Sequence, residues 1–132
     1  MRIFVDTSAF YALLDRDDEN HPKAKKAWGE LINPENTLVT SNYVLVETFA
    51  LLQSRLGFNA VRGFQEDMFP VLHVEFVTPG IHRLGVTALL SASRRGLSLV
   101  DCISFEVMRD LGMKTAFTFN SHFREQGFDV TP

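Results

Sequence analysis

Met1-Arg2-Ile3-Phe4-Val5-Asp6-Thr7-Ser8-Ala9-Phe10 opens the chain and decides how the rest is read. Arg2 to Val5 reads as a short buried strand. Asp6 stands where that strand ends, and Thr7-Ser8 opens a helical pattern carrying Phe10, Tyr11, Leu13 and Leu14. In open α/β sheets, ligands gather at the carboxyl ends of the parallel strands. Asp6 is therefore either a helix N-cap, a role that Asp fills well, or a ligand within a site. The choice depends on companions elsewhere in the chain.

Outward from this stretch, strands and helices alternate. Asp15 to Asn20 is a polar turn, and the pattern predicts a helix over 21–32 with Pro22 near its first position, where a missing N–H costs nothing. Asn33 to Asn36 breaks that helix. A strand follows over 37–40, then Ser41-Asn42 as a cap and a helix over 43–56 ended by Gly57. An amphipathic helix over 59–69 closes at Pro70, and a strand follows over 71–77. Thr78-Pro79 begins a long helix reaching about Arg95, with Gly96 at its C-terminus. The remaining pattern predicts a helix over 98–112, a strand over 114–119, a short helix over 120–126 and a last strand over 128–130. This alternation calls for a parallel sheet covered on both faces, with about five strands in a three-layer α/β/α arrangement. The 132 residues show no internal repeat or linker and are expected to form one domain.

Composition narrows the function classes. Hydrophobic residues make up 45% and charged residues 22%, the balance of an ordinary globule. Twelve Phe against one Trp and two Tyr suggest a core filled by rings. No apolar run approaches the roughly 20 residues that span a bilayer, and no membrane role is expected. The acids at 6, 15, 17 and 18 interrupt any leader pattern. One cysteine, Cys102, precludes an internal disulfide and fits a reducing cytoplasm. A formal net charge of −3 argues against holding nucleic acid by bulk electrostatics. It leaves room for an enzyme with acids at a metal site and bases on the rim.

Two acids are out of place. Glu47 is the only charge between Tyr43 and Leu52, and the helical period puts it beside Tyr43, Val44, Ala50 and Leu51. A carboxylate on or next to an apolar stripe is costly unless it is paired, hydrogen-bonded or bound to a cation. Otherwise it reaches water at the stripe's edge. Asp101 is the only charge between Leu97 and Phe105, where Ser98-x-x-Asp101 also fits a capping box. Asp6, Glu47 and Asp101 follow or precede strands that a doubly wound sheet brings to one end. Three converging acids without bases would raise one another's pKa, and a hard divalent cation relieves that. Oxygen-only ligands favour Mg²⁺ or Mn²⁺ over zinc, and the histidines at 21, 73, 82 and 122 have no metal-ligand spacing.

With these residues in place, the chain resembles the PIN-domain proteins, in particular the VapC-type toxin ribonucleases. The matching stretches are Ile3–Ala9, Val46–Leu52, Leu97–Cys102 and Thr118–Phe123, in the family's order and spacing. The resemblance implies a five-stranded parallel sheet, Mg²⁺- or Mn²⁺-dependent cleavage of RNA, frequent homodimers and pairing with a small antitoxin. It carries Asp6, Glu47 and Asp101 over as the first three acids, with Thr7, Ser8 and Thr118 as supporting hydroxyls. In the fourth position, where the family usually has Asp, this chain has Asn120. Asn120 offers a carbonyl oxygen to a metal or its water but no charge. A PIN fold with weakened catalysis that binds RNA or protein is therefore the alternative. Glu106, Asp110 and Glu125 are nearby substitutes whose polar surroundings suit a solvated role.

For RNA approach, the candidates are Lys23, Lys25, Lys26, Arg94, Arg95 and Arg124. Arg94 and Arg95 equally suit a helix C-terminus. Cys102 reads as a small buried residue, and His122 as a surface or core residue or a proton donor. Haloacid-dehalogenase-like phosphatases need a second Asp where Ser8 stands. Receiver domains have no place for Glu47.

Overall fold

A computed structural model describes all residues, 1–132. Five strands form one sheet in the order β3-β2-β1-β4-β5, and every neighbouring pair is parallel. They are β1 (Arg2–Val5), β2 (Thr37–Ser41), β3 (Leu72–Glu75), β4 (Thr115–Phe117) and β5 (Asp129–Thr131). Seven helices cover it: α1 (Thr7–Leu14), α2 (His21–Leu31), α3 (Asn42–Arg55), α4 (Phe58–Gly63), α5 (Pro79–Ala92), α6 (Leu99–Asp110) and α7 (His122–Glu125). The expected α/β/α architecture is present. No helix is long and apolar enough to cross a membrane.

The strand order explains where a site falls. From β1 the chain winds through β2 to β3 on one side, then returns to place β4 and β5 on the other. The switch point therefore lies between β1 and β4, and the crevice outside their carboxyl ends is where such sheets bind ligands. Asp6 follows β1 there, and Thr118 follows β4. Ile3, Phe4 and Val5 are fully buried, as a central strand covered on both faces requires. Phe10, Phe64, Phe117 and Phe123 join them in one cluster of 25 buried residues. The ring-filled core is as expected, although Phe58 and Phe76 are exposed.

Several element boundaries differ from the sequence reading. Residues 59–69 are not one helix: α4 ends at Gly63, a wider helical turn runs Phe64–Met68, and a tight turn spans Phe69–Val71. The wide turn lets Phe64 and Met68 both reach the core. The third strand shortens to Leu72–Glu75. Helix α5 stops at Ala92, not Arg95, because Ser93 adopts the left-handed conformation at φ 50° and its N–H bonds Leu89 O. Gly96 lies beyond that stop. The segments expected over 98–112, 114–119 and 120–126 are each trimmed to the ranges above, and the last strand shifts to Asp129–Thr131. On α3 the buried stripe is Val44, Leu45, Thr48 and Leu52, with Ala50 exposed. Glu47 flanks that stripe rather than sharing it with Ala50.

Helix α6, which carries Asp101, is pressed against α5 at Gly85. A Cβ on Gly85 would stand 2.4 Å from Ile103 Cδ1 and 3.4 Å from the Ile103 backbone nitrogen. Gly85→Ala should therefore lower unfolding stability by about 1–2 kcal/mol in urea titrations, even though Ala is the better helix former. In Gly85→Ala/Ile103→Val the two costs should fall short of additivity, because the smaller side chain makes room. A stabilised Gly85→Ala protein would contradict this close contact.

Candidate active site

Asp6 is the N-cap of α1 and is only 3% exposed. Its Oδ2 accepts hydrogen bonds from Ser8 N (3.4 Å), Ser8 Oγ (2.7 Å) and Thr118 Oγ1 (3.0 Å). No bond falls on Oδ1, and every fully buried polar side-chain atom in the protein has a partner. Oδ1 therefore reaches the cleft outside the sheet. Cap and cleft residue are one and the same carboxylate.

Asp101 is built the same way. Asp101 N donates to Ser98 Oγ (3.1 Å) and Ser98 N donates to Asp101 Oδ2 (3.1 Å), which completes the expected capping box. Its Oδ1 accepts from Asn120 Nδ2 (3.1 Å). Asn120 Oδ1 is occupied in turn, accepting from His122 N (3.0 Å). The carbonyl oxygen that Asn120 was expected to offer a metal accepts this one backbone bond and keeps a second lone pair, while the amide nitrogen tethers Asp101. Asn120 N also donates to Thr118 Oγ1 (2.9 Å). Thr118 and Asn120 therefore link the Asp6 end of the site to the Asp101 end. Phe119 N donates to Ser8 Oγ (2.9 Å), tying the same segment to α1.

Glu47, a third of the way along α3, is half-buried and has no hydrogen bond or ion pair. With Asp6, Asp101, Asn120, Thr7 and Ser8 it lines one cleft of about 300 Å³. Thr7 Oγ1 accepts a long bond from Thr48 on α3 (3.5 Å), and Thr118 lies buried behind the cleft.

Sequence reasoning missed half of the lining residues, Asp18, Tyr11 and Arg55 among them. Asp18 is a fourth carboxylate of the cleft, its Oδ1 accepting from Asn20 N (2.8 Å). None of Glu106, Asp110 or Glu125 lines it. Glu106 pairs with Arg109, and Glu125 with Arg94 and His122. Among the basic candidates, only Arg124 lines a recess contiguous with the cleft, sharing Phe119 and Asn120 with it. Lys23, Lys25 and Arg95 are exposed elsewhere, and Lys26 faces Glu30 at 4.0 Å. His122 bonds Gly96 O and Glu125 outside the cleft. Cys102 is buried, and burial pushes its thiol up.

Burial raises the Asp6 carboxyl from 3.8 to about 6. The Ser8 hydroxyl opposes that rise, the Asp101 charge adds to it, and the Thr118 hydroxyl opposes it again. This corresponds to about 3 kcal/mol against the charged form. The donor set suits a hard divalent cation: all oxygen, with a desolvated carboxylate raised by a second acid. No three His, Cys, Asp or Glu side chains stand close enough to enclose an ion as they are. The acids line the walls of the cleft, and Glu47 is the one left unrestrained.

Fold, switch point and acid set define a class, and the comparison with known families agrees with them. The PIN domain model matches residues 3–129, and the chain belongs to the PIN-domain family. It is 37% identical over 132 residues to proteins of two Mycobacterium tuberculosis strains, CDC 1551 / Oshkosh and H37Rv, each named 23S rRNA-specific endonuclease VapC20; the match covers 98% of both chains. The crystal structure of M. tuberculosis VapC20, described as a sarcin–ricin loop cleaving toxin, superposes with a TM-score of 0.86 over 98% of this chain and 99% of that one. VapBC2 from Rickettsia felis, bound to a promoter DNA fragment, shares the fold at 12% identity, with a TM-score of 0.73 over 98% and 97% of the two chains.

The buried acid has a signed consequence for the metal-free protein. Unfolded, Asp6 titrates near its ordinary value; folded, it holds its proton to about pH 6. The native state binds more protons across this window, so the Asp6 contribution to stability falls as pH rises from about 4 to 6. In EDTA, Asp6→Asn should match wild type near pH 4 and exceed it by about 2–3 kcal/mol at pH 7. A difference that does not change with pH contradicts the assignment.

Proposed function

We propose that this chain is a divalent-metal-dependent endoribonuclease that hydrolyses RNA phosphodiester bonds. It acts in the cytoplasm as the toxin of a type II toxin–antitoxin pair, and a loop of 23S rRNA is its target class. The observation that carries the reading is the gathering of Asp6, Glu47 and Asp101 in one cleft at the switch point of the sheet. Identity of 37% across nearly the full chain with a protein named as a 23S rRNA-specific endonuclease supports the substrate class. The toxin description of that relative supports a small antitoxin as partner. Exposed Val46, Leu84 and Leu90 on α3 and α5 supply apolar surface for a homodimer.

Asp6, through its free Oδ1, Glu47 and Asp101 are the residues that would hold Mg²⁺ or Mn²⁺. Such an ion, when bound, polarises a phosphodiester and activates water for in-line displacement. Ser8 and Thr118 fix the Asp6 carboxylate from behind. Asn120 and Ser98 fix Asp101, so neither acid needs to reorganise when charge enters the cleft. Glu47, with no hydrogen bond or ion pair of its own, would turn toward a cation. Thr7 and Ser8 line the floor on which the RNA backbone would rest.

The test is incubation of the purified protein with 23S rRNA and with a sarcin–ricin loop oligonucleotide. Cleavage at a discrete position should require Mg²⁺ or Mn²⁺ and stop in EDTA. Asp6→Asn and Asp101→Asn should lower the rate by more than the roughly 100-fold that loss of an outer-shell partner costs. Cleavage unchanged in both variants overturns the reading.

Asn120 favours the second reading, a fold that binds RNA or protein without cutting it. Asn120→Asp distinguishes the two, since it replaces the amide facing Asp101 at 3.1 Å by another acid. The nuclease reading expects tighter Mn²⁺ binding and a cleavage rate at saturating metal changed by less than about tenfold, or 1.4 kcal/mol. A much larger gain in rate favours the degraded site.

A further inference from the structure

The cleft poses an electrostatic difficulty for any RNA enzyme. Asp6, Asp18, Glu47 and Asp101 all face it, and a phosphodiester chain is itself an anion. Arg55 is the only basic side chain that lines the same cleft. It is exposed, and the five ion pairs of the structure leave it out, so none of the four acids neutralises it. Its guanidinium carbon sits over the Tyr11 ring, 5.5 Å from the centroid. The Tyr11 hydroxyl also lies within reach of Arg55 and of Asp15, and a guanidinium held over a ring loses less freedom on binding an oxyanion than a free one.

The spacing along α3 adds direction. Glu47, Leu51 and Arg55 repeat every four residues and all line the cleft, so they share one helix face. Eight residues at 1.5 Å each put Arg55 about 12 Å along the helix from Glu47. That offset places its backbone nearer a phosphate further along the strand than the one held at the acids. Resting on the reading of the site as a nuclease, we propose that Arg55, stacked on Tyr11, binds a phosphodiester flanking the scissile one and anchors the RNA strand at the far end of the cleft. Arg55 also lies in the last turn of α3, where a cation suits the helix dipole. That role would affect stability and leave RNA binding alone.

The experiment measures binding of a single-stranded RNA oligonucleotide by fluorescence anisotropy across salt concentrations, in EDTA so that cleavage does not interfere. Arg55→Ala should weaken binding by roughly tenfold and reduce the slope of log affinity against log salt by about 0.7, one phosphate contact on a single strand. Arg55→Lys should keep the slope while losing part of the affinity, and Tyr11→Leu should weaken binding with the slope retained. Mn²⁺ affinity, measured separately by calorimetry, should be unchanged or tighter in Arg55→Ala, since a positive charge has left the cleft. An unchanged slope and affinity in Arg55→Ala overturn the inference while metal-dependent cleavage by wild type keeps the nuclease reading. A shift confined to melting temperature assigns Arg55 to the helix end and overturns it as well. Wild-type protein that neither binds nor cleaves RNA overturns both.

Discussion

Two hydroxyls closing on one carboxylate oxygen hold this site together. Ser8, from the start of α1, and Thr118, from the end of β4, both donate to Asp6 Oδ2. Asp6 sits at the end of the central strand, so the bond from Thr118 spans 112 positions in sequence and closes the switch point between β1 and β4. The backbone repeats the closure, with Asp6 N donating to Phe117 O at 3.1 Å. Because Oδ2 is fully committed, Oδ1 is left to the cleft. The site is thus formed by the folding of the sheet and not assembled afterwards.

That arrangement conflicts with stability. A carboxylate buried this deeply beside Asp101 holds its proton up to about pH 6, and the surrounding hydroxyls only partly offset the loss of hydration. The surrounding frame is held by contacts of its own. Capping at Ser98, the tether from Asn120 and the close approach of α5 to α6 at Gly85 all fix Asp101 without help from any ion. On the proposed reading, preformed Asp6 and Asp101 with an unrestrained Glu47 would accept a cation by the movement of one side chain. The buried acid is the cost, and a charge entering the cleft relieves it.

Much of this was readable from residue order. Asp6 followed by a helical pattern, and Ser98 three residues before Asp101, revealed local geometry because capping depends only on neighbours. Alternating elements revealed the layered architecture for the same reason. What depended on distant contacts was not readable. Asp18 comes from a turn that looks simply polar, and Tyr11 from a helix whose pattern looks simply apolar. Arg55 carried a signal, the four-residue repeat with Glu47 and Leu51, but nothing local showed that this face meets a cleft. The Asn120 tether on Asp101 was unreadable for a similar reason: it goes with a turn contact, His122 N to Asn120 Oδ1, that residue identity does not reveal. The end of α5 moved from Gly96 to Ser93 because a serine adopted the left-handed conformation that glycine more commonly takes.

On the proposed reading, the end of the β1 strand, the flank of α3 and the start of α6 together form one cation site. Anomalous scattering from crystals soaked in Mn²⁺ tests it most directly. A single strong peak, or an adjacent pair, is expected, bounded by Asp6 Oδ1, Glu47 and Asp101, with Asn120 still bonded to Asp101. A peak elsewhere on the protein, or none in this cleft at saturating Mn²⁺, would contradict it.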